Sequence, residues 1–221
     1  MIDIHSHVLP GLDNGPSNIT ETYEIIRELS FLGFIELIPT PHFFNTFFRN
    51  ITPEAVQERI NEIKKDIRKR FSFEYICDSP KIRKLKNFYE FSLAEDGSRV
   101  ILVEYSPFVS DSEIKSSVFS LNANGFKPVL AHIERYQKDD DFWINLKKTH
   151  KLFYQIGLKT LAKSNFRSKK QQAVRLIEKG VIDNLATDIH SISQLEKVEK
   201  GLEFFRKNFN GYEKDLFTDK F

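Results

Sequence analysis

Apolar and polar positions along the chain alternate between two periods. Seven short apolar runs, Ile2 to His5, Phe34 to Pro39, Phe71 to Ile76, Val100 to Glu104, Pro128 to His132, Leu152 to Ile156 and Ile182 to Thr187, have the length of buried strands. Between them, apolar residues recur every third or fourth position, as amphipathic helices require. The first helix carries Ile19, Tyr23, Ile26 and Leu29 and stops at Gly33. The second opens with Thr52 and Pro53 as cap and first residue and continues through Val56, Ile60, Ile63 and Ile67. Ile114, Val118 and Leu121 mark a third, ending at Gly125. Ser168 and Gln171 read as a capping box ahead of Ala173, Val174 and Ile177, with a stop at Gly180, and Leu195, Val198, Leu202 and Phe205 mark the last helix. Two less sharply patterned helices are expected at Lys81 to Tyr89 and Asp140 to Thr149. Strands alternating with helices predict an α/β fold with a parallel sheet, and residues 1–221 are expected to form one domain.

Composition narrows the function classes. The 33 Lys plus Arg residues face 31 Asp plus Glu, a net charge of +2 that is too balanced for the usual nucleic-acid footprint. The basic run Lys64, Lys65, Arg68, Lys69 and Arg70 reads as the solvated face of the second helix, so no nucleic-acid partner is expected. A single cysteine forms no internal disulfide and fits a reducing compartment. No apolar stretch has membrane-spanning length, and the first strand starts at the second residue, leaving no room for a signal peptide. A cytoplasmic protein without membrane insertion is expected.

The histidines carry the chemical signal. His5, His7, His42, His132 and His190 stand at or just past the end of an apolar run, whereas His150, in KKTHKLFY, reads as a surface helix residue. Glu74 and Glu104 occupy similar positions, and Asp188 lies two residues before His190. When parallel strands all point the same way, their C-terminal ends meet at one rim. His5-Ser6-His7 places two imidazoles on one face of an extended strand, and Asp188-Ile189-His190 repeats the spacing. One such pair is most often surface or core decoration. Two pairs with further ligand-type residues at strand ends point to a polynuclear site for zinc, iron or manganese. Asp3 shares the face of His5 and His7 and is read as a supporting hydrogen-bond partner.

The segments MIDIHSHVLPGLDNG, TPHF, EYICD, ILVEYSPF, PVLAHIERY and LATDIH, in this order, resemble the bacterial polymerase-and-histidinol-phosphatase superfamily. Within it they are most similar to manganese-dependent protein-tyrosine phosphatases linked to capsule and exopolysaccharide synthesis, because HSHVLPGLDNG and LAHIERY are specific to that branch. The resemblance implies a distorted seven-stranded (β/α)7 TIM-like barrel holding three divalent ions, manganese above all, with iron, zinc, cobalt or magnesium as alternatives. It implies His5, His7, Glu74, Glu104, His132, Asp188 and His190 as ligands. His42 matches the remaining histidine at the site and is both a ligand and a catalytic candidate. Glu74 enters through EYICD alone, and a solvated strand-end glutamate is its other reading. The implied substrate is a phosphotyrosine protein, a cognate bacterial tyrosine kinase being the expected partner. A small-molecule phosphomonoesterase such as histidinol phosphatase is the alternative enzyme; a metal-binding regulatory protein with little activity is the alternative outside enzymes.

Such a site works without a covalent intermediate: ions about 3.5 to 4 Å apart share a hydroxide and clamp the attacking and leaving oxygens. Arginine completes a phosphate clamp through its planar fork. Arg135, in HIERY, matches the arginine of the family, and Arg49, after His42, is either a second contributor or a solvated loop residue. The family carries another arginine shortly after the final histidine, where this chain reads SISQLEKVEK and offers only Lys197. Asp13, in PGLDNG, either orients a ligand or water as in the family or serves the turn before Asn-Gly. Cys77 and Arg83 have the spacing of cysteine-dependent tyrosine phosphatases, but the intervening DSPKI has no glycine and its proline removes a donor, so a cysteine mechanism is not expected. Most of the 21 phenylalanines are expected in the core, while Phe43, Phe44, Phe47 and Phe48 are either core or an apolar wall for a phosphotyrosine ring.

Overall fold

The computed structural model describes residues 1–43, 51–63, 71–77, 92–94, 96–163 and 167–218. The helix expected at Lys81 to Tyr89, the basic run, Ile67, Arg49, Arg83 and the phenylalanines 44, 47 and 48 lie outside them.

Each of the seven apolar runs holds a strand: β1 (Ile2–Ser6), β2 (Glu36–Pro39), β4 (Glu74–Ile76), β5 (Arg99–Glu104), β6 (Phe126–Leu130), β7 (Phe153–Gly157) and β8 (Asn184–Ala186). An eighth, β3 (His42–Phe43), was not expected. Its origin is the sequence Pro39-Thr40-Pro41. Two prolines remove two donors, so β2 cannot extend its ladder, and the chain resumes pairing only at His42. All pairings are parallel, in a two-stranded sheet β1-β2 and a six-stranded sheet β3-β4-β5-β6-β7-β8. The ladders among the described residues are therefore two sheets of eight strands, not one run of seven.

Hydrogen bonds stitch the two sheets at both seams. On one side Ser72 N–H donates to the Pro39 carbonyl (3.1 Å) and Glu74 N–H to that of Pro41 (3.1 Å). On the other, Ser6 bridges Ile189, His7 N–H donates to Ile189 (2.9 Å) and Asp188 N–H to His5 (2.9 Å). Strand side chains alternate between two cores with period two. Ile4 and Ile38, from the small sheet, pack with Val100, Leu102, Val129 and Ala186 from the large one. Ile101, Val103, Leu130, Tyr154, Ile156 and Leu185 belong to the core beneath the helices.

The helices among the described residues are α1 (Ile19–Phe31), α2 (Pro53–Glu62), α3 (Asp111–Ala123), α4 (Asp140–Thr149), α5 (Leu158–Leu161), α6 (Ser168–Glu178), α7 (Leu195–Asn208) and α8 (Glu213–Leu216). Thr52 caps α2 as its sequence predicts, accepting from Ala55 N–H. In α1 the buried stripe is Thr22, Ile25, Ile26 and Leu29, so Ile26 and Leu29 are buried as expected, Tyr23 is partly buried and Ile19 stays exposed. Ser168 is the first residue of α6 rather than its cap. Arg167 holds the cap position and caps nothing with its side chain. The capping box lies instead at α3, where Ser110 and Glu113 satisfy each other's backbone N–H. Ser110→Ala is expected to cost about 1 kcal/mol of stability, read as a lower denaturation midpoint at unchanged slope.

Candidate metal centre

Because the strands are parallel, their C-terminal ends share one edge, and the candidate residues collect there. His5 is the next-to-last residue of β1, which leads to His7, and Glu104 ends β5; His42 and Glu74 are instead the first residues of the short strands β3 and β4. His132 follows β6, and Asp188 and His190 follow β8. The Asp188-Ile189-His190 segment is not a simple extended pair, since β8 has already ended and Asp188 has φ 48°. Among the described non-glycine residues only His132 (φ 35°) and Asp188 adopt left-handed backbone, and both are site residues. Each such residue costs about 1–2 kcal/mol, which concentrates local strain at the rim.

Glu74 is the hub. Its Oε1 lies 3.3 Å from His5 Nε2 and 3.1 Å from His132 Nε2; its Oε2 lies 3.3 Å from both His7 Nε2 and His42 Nε2. It is buried, so the solvated strand-end reading does not describe it. Glu104 stands at the edge of the same cluster, 3.6 Å from His132 Nε2 and 3.9 Å from His42 Nε2. Asp188 Oδ1 lies 3.5 Å from His5 Nε2 and 3.7 Å from His7 Nε2. His190 stacks on His7 with ring centroids 4.0 Å apart.

The outer nitrogens of the His5, His7, His42 and His190 rings are already engaged, whereas that of His132 has no partner among the described residues. His7 Nδ1 lies 2.7 Å and His42 Nδ1 3.2 Å from Asp13 Oδ2. His5 Nδ1 lies 3.3 Å from Gln155 Oε1, and His190 Nδ1 2.9 Å from the Asp188 carbonyl. Each of those partners accepts, so a neutral imidazole carries its proton on Nδ1 and turns a lone pair inward on Nε2. Inward lone pairs then face carboxylate oxygens, and His5 Nε2 faces His7 Nε2 at 3.2 Å. Acceptor against acceptor is repulsive unless a cation stands between, and the donor set fits a divalent ion. His7, His42 and His190; His5, His7 and Glu74; and His42, Glu74 and Glu104 each offer three ligand atoms within 4.8 Å of one another.

Protons relieve part of this conflict. Burial alone would depress the His7 imidazolium, but Asp13 and then Glu74 outweigh it and lift it to about 10. Burial and the Arg135 charge push His132 down to about 4, and burial with the His7 charge pushes His190 down to about 3. Burial and the Glu74 carboxylate push Glu104 up to about 8. Burial opposes ionisation of Glu74 too, yet the His5, His132 and His7 imidazoles hold it well below the usual carboxylate range. One carboxylate of the pair stays charged, as expected of two like charges sharing a buried site.

Asp13 serves both the turn and the site: Oδ1 accepts from Gly15 N–H (3.0 Å), and Oδ2 accepts from His42 N–H (3.0 Å) while holding the two rings. Gly15 admits no side chain, because a Cβ there would lie 2.2 Å from the His7 carbonyl. Asp3 touches no imidazole. Its carboxylate accepts from His5 N–H (3.3 Å), Thr187 N–H (3.1 Å) and Thr187 Oγ1–H (2.5 Å), so it works through the main chain, tying β1 to the end of β8.

The site opens into a cavity of about 440 Å³ whose lining includes Arg135 and Lys159. Arg135, on the short turn Ile133–Arg135 after β6, hydrogen-bonds Asp188 Oδ2 through Nη2. Lys159 was not anticipated. Neither was Gln155, which accepts from His132 N–H (2.9 Å) and steadies His5, nor Gln194, which accepts from His190 N–H (3.1 Å). Gln155 did leave a signal, a polar residue inside the apolar strand FYQIG; Lys159 and Gln194 left none. Lys197, the cation noted after His190, is exposed on α7 and does not line the cavity. Phe43 is buried against Phe73 (4.4 Å between centroids) and is core rather than a substrate wall. Cys77 is buried and does not line the cavity.

Known proteins share this arrangement of chain. The sequence is 28% identical over 208 residues to the tyrosine-protein phosphatase YwqE of Bacillus subtilis, covering 87% of this chain and 78% of that one. It is 26% identical over 239 residues to the tyrosine-protein phosphatase CpsB of Streptococcus pneumoniae, covering 99% and 96%. The fold superposes with a TM-score of 0.79 and 23% identity on a crystal structure from a study of YwqE and CpsB as metal-dependent tyrosine phosphatases, covering 96% of this chain and 88% of that one. The sequence profile of the capsular polysaccharide synthesis CpsB/CapC family matches residues 1–220, and the chain belongs to that family.

Proposed function

We propose that this protein is a metal-dependent phosphatase that removes phosphate from protein tyrosine residues, its substrate a bacterial tyrosine kinase that controls polysaccharide assembly. The observation that carries the reading is Glu74 amid four inward-facing imidazole nitrogens, beside the cationic side chain of Arg135. His5, His7, His42, Glu74, Glu104, His132, Asp188 and His190 would hold three divalent ions, with manganese the first choice; the three overlapping triads support that number. Bound ions would supply Lewis acidity to the phosphoryl oxygens and acidify the attacking water. Asp13 and Gln155 fix the tautomers of His7, His42 and His5, so that the site is preorganised. Arg135 binds the phosphoryl group through its fork, and a tyrosine leaving group, with a pKa of about 10, departs readily. Arg49 remains a candidate second contributor.

The shared inner core of the two sheets and the hydrogen bonds at both seams support a distorted barrel closed by Ser6 and Ile189 at one seam, formed by residues 1–221 as one domain. No helix among the described residues is long and apolar enough to cross a membrane, in keeping with a cytoplasmic location. A polypeptide substrate is favoured over a small one because a second depression of about 580 Å³ continues from Arg135 along Lys138, Lys169 and Gln172.

Elemental analysis of purified, manganese-loaded protein is expected to give more than one equivalent of divalent metal, and chelation to abolish hydrolysis of a phosphotyrosine peptide. No bound metal after loading overturns the site. Faster turnover of histidinol phosphate than of the peptide transfers the reading to a small-molecule phosphatase; bound metal without turnover of either makes the protein a regulator.

A further inference from the structure

Among the described residues, the cations lining the site cavity are Arg135 and Lys159. They arrive from different elements. Arg135 sits after β6, whereas Lys159 is the second residue of α5, directly after β7. The Lys159 side chain is only 16% exposed, and its Nζ donates to Gln194 Oε1 (2.8 Å) and to the Asp188 carbonyl. It also lies 3.3 Å from Asp188 Oδ2, the same oxygen that accepts from Arg135. Lys159, largely desolvated, and Arg135, whose side chain is 36% exposed, thus share one carboxylate oxygen, and a single carboxylate does not neutralise both. If Asp188 gives its oxygens to a divalent ion, as the function proposed above requires, both cations lose that partner together. A dianionic phosphoryl group is the ligand whose charge and acceptor geometry restore it.

We propose that Lys159 is a second phosphate-binding residue of this site, contacting a phosphoryl oxygen of the substrate together with Arg135 and positioned by Gln194. This rests on the phosphatase reading. It also supplies, from the end of β7, a cation that lines the cavity, which Lys197 does not.

Lys159→Gln, Lys159→Arg and Gln194→Met, each loaded with manganese, are compared with wild type by elemental analysis, calorimetric titration with inorganic phosphate, and kcat and KM on p-nitrophenyl phosphate. Lys159→Gln is expected to keep its metal, bind phosphate about tenfold more weakly, and lose about 10²-fold in kcat/KM. Lys159→Arg should regain most of both, and Gln194→Met should weaken phosphate several-fold with metal content unchanged. Wild-type phosphate affinity in Lys159→Gln overturns the proposal. So does loss of metal in step with loss of activity without rescue by arginine, since the lysine would then only hold Asp188 in place. Should Lys159→Gln fail to fold, Gln194→Met decides, and unaltered phosphate binding there overturns the proposal. Absence of phosphotyrosine hydrolysis in loaded wild type sinks the phosphatase reading, while the phosphate titration of the same samples still tests Lys159.

Discussion

Asp188→Asn is expected to lower turnover on a phosphotyrosine peptide by about 10³-fold or more, with its fold intact. Asparagine has the shape of aspartate and tolerates the left-handed backbone that Asp188 adopts, so the change removes charge rather than structure. That charge sits where His5, His7, His190, Arg135 and Lys159 all meet it. Metal content should fall with activity, because an amide oxygen is a weaker ligand for a divalent ion than a carboxylate. Cys77→Ser in the same assay should keep turnover and metal, its side chain lying outside the cavity lining. Near wild-type turnover in Asp188→Asn, or a dead Cys77→Ser that is folded and metal-loaded, would sink this account of the chemistry.

Arg135→Ala should cost about 10²-fold to 10³-fold in turnover, the usual penalty for removing one donor aimed at charge in the transition state. Arg135→Lys should be nearly as damaging, because lysine keeps the charge but loses the planar fork. Metal content gives the control. Arg135 contacts Asp188, and a ligand carboxylate freed of its guanidinium should hold a cation no worse. Loss of kcat with metal retained is therefore the expected pattern. Wild-type turnover in Arg135→Ala with unchanged metal would show that phosphate is held by the ions alone.

Both predictions begin in residues legible from the sequence, and the ways in which the sequence fell short are physically instructive. The helix periods and the Thr52 cap were readable because they depend on residues within a few positions of one another. The capping box expected at Ser168 failed because Ser-x-x-Gln or Ser-x-x-Glu also occurs at Ser191 and Ser110, and only backbone geometry at the helix entry selects among them. β3 was missed because two residues carry no period; it exists because Pro39 and Pro41 interrupt one ladder and His42 enters another.

The sequence by itself determined which side chains could serve as ligands and where along the chain they stand. Strand ends carry a local signature, and parallel strands deliver those ends to a single rim. Only the tertiary structure decided how they meet. Glu74, supported in the sequence by a short motif alone, became the hub because its strand lies between those of His42 and Glu104 in the sheet. Lys159 and Gln194 joined the site through contacts across 29 and 35 residues, and the left-handed backbone of His132 and Asp188 lies at the same rim. Such relations depend on distances between segments remote in the chain, which no local pattern of residues records.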